Sequence, residues 1–208
     1  MARHRLGPTL LGAVLLAGCQ PDSASTRPAT RLEVPNQPAF SVSFRCPPAG
    51  TTVHSLGRGT VRYAGSDPTD VTICLVRTLT GQQRWLYNVY MLPADDERSL
   101  RPGLQRLWPL EPGKTSNFTF TGRTRNNETY RYAERWRVLR MEFIPVGRES
   151  RRTVVVERTQ EGMLGNTFLG TETYWLDVET GADLKRTVSV IRGSSTSGPY
   201  EATSIVRM

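Results

Sequence analysis

Apolar and polar residues alternate in short runs along most of this chain. Phe40, Val42, Phe44 and Cys46 alternate with Ser41, Ser43 and Arg45, the period of two that marks a strand with one buried face. Val71, Ile73 and Leu75 alternate with Thr72 and Cys74, and Gly81-Gln82-Gln83 then interrupts. Trp85, Tyr87, Val89 and Met91 line one face of the following stretch, with Leu86 and Tyr90 on the other. This predicts a hairpin turning near Thr80–Gln83. Asn117–Thr121 and the β-branched run Thr153–Arg158 are further strands, the latter separated from Thr173–Asp177 by turn residues at Glu161-Gly162 and Gly165-Asn166. Glu179-Thr180-Gly181 turns the chain into Leu184–Ile191, and Gly193–Pro199 precedes a last strand near Ala202–Val206. Short strands about ten residues apart predict a mainly β fold, an antiparallel sandwich or an open barrel or meander.

Two stretches interrupt this rhythm. In Glu128–Phe143, Tyr130, Tyr132, Trp136 and Val138 suit one strand face opposite Arg131, Arg135 and Arg137. Tyr132, Trp136, Leu139 and Phe143 also fit a helical stripe. Strands with a bulge are preferred, because the flanking segments read as β. Pro93–Pro112 holds four prolines and reads as a long connection with one helical turn.

The amino terminus has a different pattern. Arg3, His4 and Arg5 precede an apolar run from Leu6 to Ala17, which ends in Leu16-Ala17-Gly18-Cys19. The run is shorter than the roughly 20 apolar residues that span a bilayer, and it matches the head and core of a secretory signal. These residues resemble the signal and lipobox of bacterial lipoproteins. That resemblance implies cleavage before Cys19, diacylglyceryl on its sulfur, and a membrane anchor, since two or more acyl chains hold stably. In such lipoproteins an aspartate at the second mature position favours the inner membrane. Gln20 therefore points to the outer membrane.

The expected organisation is a signal peptide over 1–18, a lipidated cysteine and flexible linker over 19–38, and a β-rich periplasmic domain over 39–208. The last is open to division into sub-sheets at 39–121 and 128–208. Gln20–Gln37 carries Pro21, Pro28, Pro35, several Ser and Thr and little apolar matter, the composition of a tether. Its eighteen residues reach at most about 60 Å when stretched. The stretch from Trp136 to Lys185 resembles uncharacterised periplasmic β-meander domains through Pro145-Val146-Gly147, Val154-Val155-Val156, Tyr174-Trp175, Asp177 and Gly181. That likeness implies a fold class and no activity.

In an oxidising envelope the remaining cysteines, Cys46 and Cys74, are expected to pair. Catalytic parts are scarce. The only histidine after the signal is His54, in Val53-His54-Ser55, and no nucleophile motif accompanies it. No metal-ligand spacing is present, and Asp95-Asp96-Glu97 reads as a solvated loop. No cofactor is expected.

Charge is the most uneven feature. Of 27 basic residues only Lys114 and Lys185 are lysines. Losing 1–18 removes two arginines and no acid, so the formal charge of +8 falls to +6. Residues 123–152 hold nine arginines against Glu128, Glu134, Glu142 and Glu149. Guanidinium forks bind phosphate and carboxylate in pairs of hydrogen bonds. Arg131, Arg135 and Arg137 on one strand face could therefore meet lipopolysaccharide, phospholipid headgroups or cell wall. Arginine bias from a GC-rich genome, with charged strands resisting aggregation, is the competing reading. Nucleic acid is not an expected partner of an exported, lipidated chain, despite a pI near 9.9. The first functional reading is a non-enzymatic envelope module anchored by Cys19. A second is a carrier enclosing an acyl chain in a curved sheet. A third is a hydrolase of envelope material.

Overall fold

The computed structural model describes residues 39–92, 97–123, 127–164, 167–195 and 198–207. The segments expected to be signal and tether, Cys19 among them, lie outside these residues, as do Asp95-Asp96 and the turn expected at Gly165-Asn166.

Hairpins build most of the fold. The strands are β1 (Thr52–Leu56), β2 (Gly59–Asp67), β3 (Asp70–Thr78), β4 (Gly81–Leu86) and β5 (Tyr90–Met91), then helix α1 (Glu97–Gln105). They continue with β6 (Thr115–Arg123), β7 (Thr129–Val146), β8 (Glu149–Leu164), β9 (Leu169–Asp177), β10 (Asp183–Arg192) and β11 (Tyr200–Val206). All eleven join one antiparallel sheet in the order β5-β4-β3-β2-β1-β11-β10-β9-β8-β7-β6. The chain steps outward from β1 to β5, crosses through α1 to the opposite edge at β6, and steps back until β11 pairs with β1. Strands from both halves of the chain, 39–121 and 128–208, are thus in one sheet.

The sheet is open and curled. Tyr90 on one edge strand and Phe120 on the other meet edge to face, with ring centroids 5.7 Å apart. α1 lies on the inner face. Its Leu100 and Leu104, with Leu107 just beyond, repeat at i, i+4 and i+7 and are all buried. They share one cluster with Ile73 and Leu86 from one side of the sheet and Phe120, Trp136, Val138 and Tyr174 from the other. Each buried leucine contributes about 1.5–3 kcal/mol. That burial sustains a helix interrupted by Pro102, which forfeits a backbone hydrogen bond at a cost of about 3 kcal/mol. The expected single turn is therefore a nine-residue helix.

A second cluster occupies the other face, with Val53, Val61, Tyr63, Cys74, Val155, Trp175 and Leu184. Val154, Val155 and Val156, and likewise Tyr174, Trp175 and Leu176, alternate between the two clusters, as strand geometry dictates. β8 and β9 are therefore buried on both faces here. Cys46 and Cys74 form a disulfide with Cα atoms 5.3 Å apart.

One open alternative is resolved and several local expectations change; Glu161-Gly162, expected as a turn, pairs within β8. Residues 128–143 lie mostly in β7, a strand as preferred, with a register shift between Val138 and Arg140. The stretch Phe40–Cys46 has the alternating burial of a strand, yet it pairs only where Val42 and Leu110 exchange hydrogen bonds of 3.0 and 2.9 Å. The predicted strand Trp85–Met91 is broken. Thr78 pairs directly with Gly81, so the β3–β4 turn falls at Leu79-Thr80. The chain then reverses again at Tyr87 and Asn88, whose φ angles are 51° and 55°. Asn88 tolerates this left-handed backbone better than most residues, and its Nδ2 donates to Gly181 O at 2.8 Å, tying the turn to the β9–β10 loop.

Candidate functional site

β7 sorts its residues by parity. Tyr132, Glu134, Trp136 and Val138 face α1, while Arg131, Ala133, Arg135 and Arg137 face outward. The three arginines singled out by the sequence therefore share one face, with Arg131 and Arg135 exposed and Arg137 half-buried. At about 3.4 Å per residue they span roughly 20 Å. Their neighbours across β6 are Thr121, Asn117 and Thr115, and across β8 they are Leu164, Thr159 and Glu157. Arg131 reaches Thr119 Oγ1 at 3.5 Å. Among the described residues, none of the three makes an ion pair.

Several other charges are instead buried and satisfied internally. Arg158 is opposite Trp136 on β7 and Glu172 on β9. It donates from Nε and Nη2 to the two oxygens of Glu134, at 2.8 and 2.6 Å, and from Nη1 to Glu172 at 3.0 Å. Trp136 Nε1 and Gln160 Nε2 also donate to Glu134, at 3.1 and 2.8 Å, and the Tyr174 hydroxyl donates to Glu172. Burial opposes the Arg158 charge, and the adjacent Glu134 carboxylate outweighs it, holding the guanidinium protonated. Burial raises the Tyr174 hydroxyl. With both Glu134 oxygens engaged, this group has the geometry of a structural clamp.

A second clamp closes the β9–β10 turn. Arg151 donates to both oxygens of Asp177, at 3.1 and 2.7 Å, and Asp177 also accepts from the Thr180 backbone N–H at 2.8 Å. Gly181 has a φ of +78°, and a Cβ there would collide with Arg45 O. The Trp-x-Asp…Gly pattern is thus explained by turn construction.

A third group is less satisfied. Arg58, in the β1–β2 turn, donates from Nη2 to the Asp183 backbone oxygen at 2.9 Å, and its Nη1 lies 3.6 Å from Asp183 Oδ2. The Tyr200 hydroxyl donates to the same carboxylate. Asp183 Oδ1 and Arg58 Nε have no hydrogen-bond partner among the described residues. Burial pushes the Asp183 carboxyl up to about 7, against the opposing pull of Arg58.

His54 is exposed, and its Nδ1 lies 2.9 Å from Thr60 Oγ1 on the neighbouring strand. No His, Cys, Asp or Glu cluster placed to hold a metal occurs among the described residues. The space between sheet and helix is filled by side chains. A gap of about 10 Å³ beside Trp108, Leu110, Val154 and Leu176 has room for about one water. Two surface grooves of about 350 Å³ flank Arg45 and Val178, one floored by Phe143 and Arg152, the other by Val42 and Phe44.

Compared with models of protein families, with curated proteins and with solved structures, the chain matches none.

Proposed function

We propose that this chain is a non-enzymatic envelope lipoprotein, anchored through lipid on Cys19, whose outward β7 face binds an anionic component of the envelope. The observation that carries the reading is the division of charge. Glu134, Glu172 and Asp177 are neutralised internally by Arg158 and Arg151, while Arg131, Arg135 and Arg137 stand together on the outside without an ion pair among the described residues. A row of unneutralised guanidiniums attracts phosphate or carboxylate surfaces. The packed interior weighs against the carrier reading, because an acyl chain would have to displace Leu100, Leu104 or Trp136, all buried.

Two measurements test the proposal. Intact-mass analysis of the mature protein is expected to show an acylated amino-terminal Cys19, and Cys19→Ser is expected to leave the membrane fraction. Adhesion of the Cys19→Ser chain to anionic vesicles or to wall sacculi is expected to weaken with salt and to fall by about fivefold or more in the triple variant with Arg131, Arg135 and Arg137 changed to Ala. Unchanged adhesion in that variant would overturn the assignment of the face.

A further inference from the structure

The outward face carries a second feature where its strands end. Cross-strand partners share a face, and Arg131 on β7 is partnered by Leu164 on β8. Ala133 is partnered by Glu161, and Glu161 by Leu169 on β9. Leu169 is in turn partnered by Arg192 on β10, where a bulge between Val190 and Arg192 adds Ile191 beside it. Leu164 is 57% exposed and Ile191 69%, with Leu169 half-buried between them. Glu161 is the β8 residue level with Leu169, and Leu164 lies three residues beyond it toward the strand end, so Leu164, Leu169 and Ile191 form a staggered aliphatic patch across β8, β9 and β10. Met163, in the β8 bulge, is 55% exposed next to it. Arg131 and Arg192 bracket the patch, and Arg123 on β6 is also exposed at this end. From the level of Arg137 to this end, the acids on the outward face among the described residues are Glu157 and Glu161, against Arg123, Arg131, Arg135, Arg137 and Arg192.

We propose that this end of the sheet seats on an anionic phospholipid bilayer, with Leu164, Leu169 and Ile191 entering the headgroup boundary and Arg131, Arg192 and Arg123 meeting the phosphates. The inference rests on the arginine-face reading and names its partner. A polysaccharide or peptide wall satisfies guanidinium but gives exposed aliphatic side chains nothing to enter, whereas a bilayer offers an anionic surface with hydrocarbon a few ångströms beneath it. The patch lies at the ends of β8, β9 and β10, so this end of the sheet can meet lipid edge-on. With the tip seated, Arg135 and Arg137 stand roughly 13 and 20 Å up the strand from Arg131, beyond the screening length of about 8 Å at physiological salt. The arginines therefore act unequally, Arg131 strongly and Arg137 weakly. A tether of up to about 60 Å leaves this orientation within reach of a lipid on Cys19.

The test uses the purified Cys19→Ser chain and co-sedimentation with vesicles of phosphatidylcholine alone, or with about a third phosphatidylglycerol. Binding is expected only to the anionic vesicles. Arg131→Ala is expected to weaken it about fivefold and Arg137→Ala less than about twofold. Leu164→Ser with Ile191→Ser is expected to weaken it about tenfold or more, while Val71→Ser, an exposed position on β3, changes nothing. Both aliphatic sites are exposed, so folding is preserved, which circular dichroism checks. As an independent readout, Ile191→Trp fluorescence is expected to be quenched by brominated lipid, unlike Val71→Trp. Equal losses from Arg131→Ala and Arg137→Ala, or full binding by the Leu164/Ile191 double variant, would overturn the tip-down seating and leave the arginine face standing. Retention by sacculi but not by vesicles would do the same. Failure to bind either surface would remove both proposals.

Discussion

Arg158→Met is the most informative single change to the interior. Arg158 makes three charge-assisted hydrogen bonds to two carboxylates, and the side chain of Glu134 is fully shielded from solvent. Methionine fills similar volume but leaves both carboxylates without their cation. Breaking a buried ion pair from one side costs about 3–5 kcal/mol. Against a total stability of roughly 5–15 kcal/mol for a domain, that loss shifts a urea midpoint by one to several molar at a slope of about 1–3 kcal/mol/M. Trp136 donates to Glu134 and packs over the guanidinium, 5.5 Å from its ring centroid, so intrinsic fluorescence follows the transition. A companion variant, Glu134→Gln with Arg158→Met and Glu172→Gln, removes all three charges together and is expected to regain at least about 2 kcal/mol, because no isolated charge remains buried. If Arg158→Met cost less than about 1 kcal/mol, or if the triple variant were no more stable than the single one, the clamp would not be the desolvated group described above.

Further changes probe other elements. Reducing the Cys46–Cys74 bond, which spans 28 residues, is expected to lower stability by about 3–4 kcal/mol; an unchanged urea midpoint after reduction would contradict this. Burial raises the Asp183 carboxyl from 3.8 to about 7, so between these values the folded chain holds a proton that the unfolded chain releases. Stability therefore falls as pH rises through this window, by about 4 kcal/mol in all at 1.36 kcal/mol per unit. Asp183→Asn is expected to flatten that dependence, and a retained slope would assign it elsewhere. Gly103→Ala places a carbon against the Phe118 ring, closer than van der Waals contact allows. Overpacking of about 1–3 kcal/mol is expected to exceed the roughly 1 kcal/mol gained in helix propensity, and an increase in thermal stability would show that Phe118 moves aside freely.

The strands were legible because parity is local. A residue's neighbours two positions away reveal its face, and this recovered β7 to β11 and the shared outward side of Arg131, Arg135 and Arg137. The same parity held a further signal. Glu134 stands in phase with Tyr132, Trp136 and Val138, Arg158 with Val154 and Val156, and Glu172 with Tyr174. Charged residues at apolar phase mark buried ion pairs, and that reading was open from the sequence. The partner of each was not, because pairing Arg158 with Glu134 and Glu172 depends on the register of β7–β8–β9. The Arg58–Asp183 contact joins residues far apart in the chain, and the local sequence around Arg58 does not indicate its partner. The break at Tyr87-Asn88 was hidden because the alternation of Trp85, Tyr87, Val89 and Met91 continues through a turn whose cause, the Asn88–Gly181 hydrogen bond, is tertiary. The aliphatic patch also needed register, since Leu164, Leu169 and Ile191 come to one end of one face only when three strands align.

Because β11 sits between β1 and β10, the sheet has no continuous middle until its last strand arrives. Thr52 is partnered by Val206 and Lys185 by Glu201, so loss of Tyr200–Val206 would leave two half-sheets, each with a raw hydrogen-bonding edge. A cut near residue 200 would thus open a seam in the middle of the sheet, while the core shared through α1 still holds the two sides together.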